Sequence, residues 1–156
     1  MNSLTGWRLR LVLGGMAVVF TAGATHSVEA APAVPDPCKL ITAVEVEQIA
    51  GPLKGTPMPG DIASGDVSCE YKPAKTPWIS VRLHDGELNY WKTRNGGKNP
   101  VALPEFGKDA FVNPDFEGSA DLYAKKGNLI LRVSAPKGPM AVDMIKAIAK
   151  KALSRL

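Results

Sequence analysis

The sequence predicts an α+β domain, a single two-layer sandwich in which an antiparallel sheet of about five strands is packed by an N-terminal and a C-terminal helix. Three observations predict it. Apolar and polar residues alternate over 67–72 and again over 78–84, and the tight turn Pro73-Ala74-Lys75 joins the two runs. Gly127-Asn128 is a hairpin-turn signal between two further alternating runs. From Pro139 onward, apolar residues recur at helical spacing. Consecutive strands joined by tight turns run antiparallel, and amphipathic helices then cover the sheet.

The first thirty residues stand apart from this domain. Arg8 and Arg10 precede the apolar stretch Leu11 to Ala24. That stretch leads to Val28-Glu29-Ala30, with small residues where a signal peptidase reads before Ala31. It is too short and too interrupted by glycine to span a membrane. Residues 1–30 therefore read as a signal peptide, 31–37 as a proline-rich lead-in, and 38–156 as one α+β domain. The expected location is periplasmic or secreted, with no integral membrane span once the signal is removed.

The elements follow in order. Thr42 and Glu45 form a capping box, with Ile41 and Val46 placed as its hydrophobic staple, so a helix is expected over 43–50. Gly51-Pro52 ends it. Residues 53–65 are rich in Gly and Pro and predict a loop with at most a short edge strand. Val67, Cys69 and Tyr71 share one face of the next strand. In the strand after it, Ile79, Val81 and Leu83 oppose Trp78, Ser80, Arg82 and His84. Leu88 and Trp91 suggest a short helix within 85–94, closed by Asn95-Gly96-Gly97. Strands are expected at 107–112 and 120–125, separated by the turn Asn113-Pro114-Asp115, and then at 129–134. The last helix buries Ala141, Ile145, Ile148 and Ala152, and keeps Lys146, Lys150, Lys151 and Arg155 in water.

Bulk properties narrow the function classes. The whole chain carries a net charge of +4; residues 1–30 take Arg8, Arg10 and Glu29 with them, which leaves +3. So mild a charge does not predict a nucleic-acid partner. The two cysteines, Cys38 and Cys69, are an even pair in a small exported domain and predict a disulfide. No C-x-x-C or Cys/His cluster points to a metal.

Motifs of catalysis are sparse. His84 is the one histidine beyond residue 30, and Asp85 beside it points to the opposite face of the strand. There is no G-x-S-x-G elbow. Asp115, Glu117, Ser119 and Asp121 alternate like oxygen ligands, but Ala120 and Lys126 occupy the positions where an EF-hand places glycine and an acid. No cofactor and no metal are expected. A surface is the stronger candidate. If Ile79, Val81 and Leu83 face the helices, then Trp78, Arg82 and His84 project from the other side, joined by Tyr123, Ile130 and Arg132. Aromatics and arginines dominate binding hot spots. The alternative is that the helix within 85–94 lays Trp91 over this face and buries Trp78.

Taken in order, Asp36-Pro37-Cys38-Lys39-Leu40-Ile41-Thr42, Cys69-Glu70-Tyr71, Gly107-Lys108-Asp109-Ala110-Phe111 and Lys126-Gly127-Asn128 resemble a family of small exported bacterial domains, many of them lipoproteins, of largely uncharacterised function. The apolar-basic helix ending in Leu153 and Leu156 completes the pattern. Pro35-Asp36-Pro37 is not a lipobox, so a lipid anchor does not carry over. The shared residues are folding chemistry (a bridge, a cap, a hairpin turn), so no functional residue carries over either. The expected function is a non-catalytic binding or accessory domain of the bacterial cell envelope. Its partner would be an envelope protein, a cell-wall polymer or a small amphipathic ligand. The alternative is a small hydrolytic or metal-dependent enzyme using His84 or the acids Asp109, Asp115, Glu117 and Asp121.

Overall fold

The computed structural model describes residues 34–61, 66–94 and 100–156, so the segment read as a signal peptide lies outside the described residues. Residues 32–156 cluster as one unit. The helices are α1 (Pro37–Leu40), α2 (Ala43–Ala50), α3 (Leu88–Arg94) and α4 (Ala141–Leu153). The strands are β1 (Met58–Asp61), β2 (Val67–Tyr71), β3 (Ile79–Asp85), β4 (Val101–Ala102), β5 (Phe111–Phe116), β6 (Ser119–Lys126) and β7 (Leu129–Pro136). All seven strands join one antiparallel sheet in the order β1-β2-β3-β7-β6-β5-β4.

The α+β class with one antiparallel sheet is as the sequence predicts, but among the described residues seven strands replace about five. The two extra strands sit at the sheet edges, where β1 carries Pro59 and β4 has only two residues. Edge strands tolerate proline and brevity because one side of their backbone needs no partner.

A second correction concerns β5. The strand expected at 107–112 is displaced to 111–116, and the chain turns at Glu117-Gly118 rather than at Asn113-Pro114-Asp115. Both turn residues take positive φ, 50° and 87°, which suits a two-residue hairpin connection. Pro114 stays inside the strand because the register shifts between Asn113 and Phe116, a bulge that removes the need for its missing N–H.

The inner face of the sheet holds the main core. Ile79, Val81, Leu83, Leu122, Leu131 and Val133 are fully buried against Ile145, Ile148 and Ala152 of α4 and Val46 of α2. The expected period of α4 is therefore the observed one. Thr42 and Glu45 form the expected capping box at α2. Glu45 does a second job that no local pattern announces. Its carboxylate accepts two hydrogen bonds from the Arg155 guanidinium, each 2.7 Å, while Arg155 also donates to the Leu40 carbonyl. The fork clamps the two terminal helices together and holds the Glu45 carboxyl well below the usual carboxylate range.

Cys38 and Cys69 form the expected disulfide, with 5.1 Å between their Cα atoms. It links α1, a short helix at the end of the lead-in that the sequence did not predict, to β2. Asp36 caps α1 by accepting from the Cys38 N–H at 2.9 Å. Close by, the buried Tyr71 hydroxyl donates to the Ile41 carbonyl at 2.6 Å, so β2 grips the α1–α2 junction twice.

Candidate functional site

The outer face of the sheet carries the residues singled out from sequence, in two regions. Because strand residues alternate between faces, the inward set Ile79, Val81 and Leu83 forces Ser80, Arg82 and His84 outward. The strand register then lines up neighbours. One row runs Ser68, Arg82, Arg132, Tyr123; the next runs Glu70, Ser80, Ser134, Asp121.

The first region is aromatic and covered. Helix α3 lies on it through Leu88 and Trp91, enclosing Phe111, Tyr123 and Ile130 as a second, smaller core. Trp91 stacks on Tyr123 at 5.6 Å and tilts against His84 at 4.8 Å, and Tyr123 stacks on Phe111 at 4.9 Å. Tyr123 and His84 are consequently buried rather than displayed. Trp78 sits just before β3, half-buried and outside this aromatic group. The helix covers the face as the alternative expectation held, but Trp91 shelters His84 and Tyr123, not Trp78.

His84 is 3% exposed. Its Nδ1 lies 2.9 Å from Asp66 Oδ2, close but off the axis of a well-aligned hydrogen bond, and its Nε2 has no hydrogen-bond partner among the described residues. Burial lowers its pKa; the Asp66 carboxylate pulls the other way, and Arg132 and Arg82 push it lower again. A histidine so placed is held neutral. In the unfolded chain it takes up a proton near its ordinary pKa of 6.5, and in the fold only at lower pH. Its contribution to stability is therefore complete above 6.5 and lost as pH falls from there toward the folded pKa. We expect the melting temperature to fall between about pH 7.5 and about pH 5.5, and His84→Gln to flatten that slope. An unchanged slope in the variant would assign the pH dependence elsewhere. Glu45 does not confuse the measurement, because its contribution is lost only below its ordinary value of 4.5.

The second region is polar and half-buried. Arg132 donates from Nε (2.9 Å) and Nη2 (2.8 Å) to one oxygen of the fully buried Asp121. Ser134 donates to that same oxygen, and Ser119 donates to the other at 2.6 Å. The Arg132 guanidinium also lies 5.4 Å from the Tyr123 ring and 5.9 Å from Trp91, a cation–π contact at the edge of the covered region. Arg82 stands directly opposite Arg132. Its Nε donates to Ser80 Oγ at 3.2 Å, and no carboxylate among the described residues lies within 4 Å of it.

No protein-family model and no curated protein matches the sequence. Among solved structures, this chain is similar to a GTP-binding regulator from Thermotoga maritima, with 14% sequence identity and a TM-score of 0.41. The alignment covers 75% of this chain and 91% of that one. A likeness this distant carries nothing about the site.

The acids considered for metal binding or hydrolysis do not converge. Asp109 lines an open cleft with Lys92, Lys108 and Lys125 beside α3. Asp115 near the end of β5 and Glu117 in the β5–β6 turn are both exposed, and Asp115 pairs with Lys137 at 2.7 Å. Asp121 is sealed with Arg132. Among the described residues no group of three or more His, Cys, Asp or Glu is placed to hold a metal. Asp66 was missed as the partner of His84. Its signal was present, since Asp66 continues the alternation of Ser68 and Glu70 and falls opposite His84 when the β2–β3 register is extended. The meeting of Ser80 with Ser134 and of Arg82 with Arg132 depended on β3 pairing with β7, for which the sequence offers no local cue, whereas Asp121 reaches Ser134 across the β6–β7 hairpin.

Proposed function

We propose that this protein is an exported, non-catalytic binding or accessory domain of the bacterial cell envelope, whose ligand meets the outer sheet face beside α3. One observation carries the reading. Arg82 and Arg132 sit side by side on a half-buried sheet face, Asp121 neutralises only one of them, and an aromatic group borders them. Like charges directly opposite across strands destabilise a sheet by a few tenths of a kcal/mol to about 1 kcal/mol. A bare arginine in that position is better explained by a partner than by the fold. The disulfide supports an oxidising compartment, and the resemblance to small exported bacterial domains points the same way.

The test uses the purified protein with its disulfide intact, immobilised against solubilised envelope components (proteins and cell-wall polymer separately). Wild type is expected to retain a component that Arg82→Ala loses, while Met140→Ser, on an exposed loop before α4, retains it. Equal retention by the Arg82 variant would move binding off this face. A protein from the native host whose mass still includes residues 1–30 would refute export.

A further inference from the structure

The outer face contains the same small motif twice, and only one copy is filled. Arg132 Nε donates to Ser134 two residues along β7, at 3.1 Å. Arg82 Nε donates to Ser80 two residues back along β3, at 3.2 Å. The strands are antiparallel, so the arginines face each other, the serines face each other, and the two units are related by the β3–β7 pairing. In the β7 unit the next strand outward supplies Asp121, directly opposite Ser134, and its carboxylate docks on Arg132 and Ser134 together. In the β3 unit the next strand outward supplies Glu70, directly opposite Ser80. Glu70 turns to Lys72 instead, at 3.5 Å, with nearly half of its side chain exposed. The other nearby acid, Asp66, just before β2, lies against His84.

The geometry points to a ligand carboxylate binding at Arg82 and Ser80. This assignment rests on the reading of the outer face as the binding surface, and names the chemistry it takes. Asp121 is the internal template, since it is a carboxylate held by an arginine fork and a serine hydroxyl on the neighbouring strand. Charge selects the class of anion. One of the two arginine charges is already neutralised, so a monoanion completes the balance. A dianionic phosphate would add repulsion from Asp121 and Asp66. Arg82 is half-buried and Trp91 borders the arginine pair, so the acid would be desolvated while the rest of the ligand stays at the surface.

The experiment is a titration of the oxidised protein with acetate at constant ionic strength, followed by NMR of the arginine Nε–Hε and backbone amide signals. Saturable shifts are expected at Arg82, Ser80 and Arg132, with affinity reduced about tenfold or more in Arg82→Gln and clearly reduced in Arg82→Lys, which keeps the charge but loses the fork. Undisturbed amide dispersion in Arg82→Lys guards against misfolding as the cause. Glu70→Gln, which removes a nearby negative charge, is expected to bind acetate at least as well as wild type. Unsaturable shifts spread over many lysines, equal affinity in Arg82→Gln, weaker binding in Glu70→Gln, or tighter binding of inorganic phosphate than of acetate would each overturn the assignment. Loss of envelope retention in Arg82→Ala without saturable acetate binding would sink the carboxylate alone. Acetate binding at Arg82 with envelope retention unchanged would sink the broader reading alone.

Discussion

Asp121→Ala is expected to destabilise the protein by about 3 kcal/mol, the low end of the cost of breaking a buried ion pair by removing one partner. The carboxylate is fully buried and accepts from Arg132, Ser134 and Ser119 at once. Truncation strands the Arg132 charge opposite Arg82 and takes the acceptor from the Ser134 hydroxyl, while Ser119 keeps the Phe116 carbonyl at 2.7 Å. The estimate sits at the low end because the Arg132 side chain remains 18% exposed and can draw partly on water. In a domain of this size the melting temperature should drop by about 10 °C. The double variant Asp121→Leu, Arg132→Leu should recover much of the loss, because replacing a whole buried pair by apolar groups is often close to neutral. Thermal unfolding of the three proteins decides it. A single variant within about 1 kcal/mol of wild type would mean that the pair is solvated and contributes little.

Removing the Cys38–Cys69 bridge should cost about 3–4 kcal/mol, the chain-entropy value for a closed loop of this length. The sequence separation is 31 residues, and the loop encloses α1, α2 and β1 as well as Cys69 on β2. The unfolded chain gains most of that loop's freedom when the link is cut. The folded side adds to the effect, since α1 is only four residues long and has one capping hydrogen bond of its own from Asp36. Urea unfolding with and without reductant, together with a Cys38→Ala, Cys69→Ala variant, measures the term. The midpoint should shift strongly with little change in native-state spectra. The Tyr71 hydroxyl bond to Ile41 and the Arg155 fork on Glu45 still hold the same junction in the reduced fold, so folding itself is expected to survive. A midpoint indifferent to reductant would show that the bridge is not a stability element.

The aromatic residues show where local reading stops. Parity along β3 correctly separated Ile79, Val81 and Leu83 from Arg82 and His84, because alternation is a property of the strand alone. Whether the outward set is displayed or covered depended on where α3 landed. That helix has seven residues and a single buried side chain, Leu88, so its position is set by Leu88 joining Phe111, Tyr123 and Ile130 and by Trp91 finding His84 and Tyr123. Tyr123 and Arg132 belong to strands far along the chain from Trp91, and no periodicity reports on such meetings.

The sequence by itself determined the α+β class, the β2–β3 and β6–β7 hairpins, the capped helix α2, the burial stripe of α4 and the pairing of its two cysteines. Each follows from short-range physics: residue period, cap chemistry, turn conformation, and an even thiol count in a small domain. Only the tertiary structure decided that β3 pairs with β7, and that pairing is what sets Arg82 against Arg132 and Ser80 against Ser134. Some forty residues separate the two strands, and the free energy that joins them comes from burying both apolar faces under α4, a driving force without direction along the chain. Nor could the chain announce that Asp121 would spend its charge on Arg132 while Glu70 turned away from Arg82. Such choices follow from competing distances of a few ångströms between side chains, which exist only once the sheet is assembled.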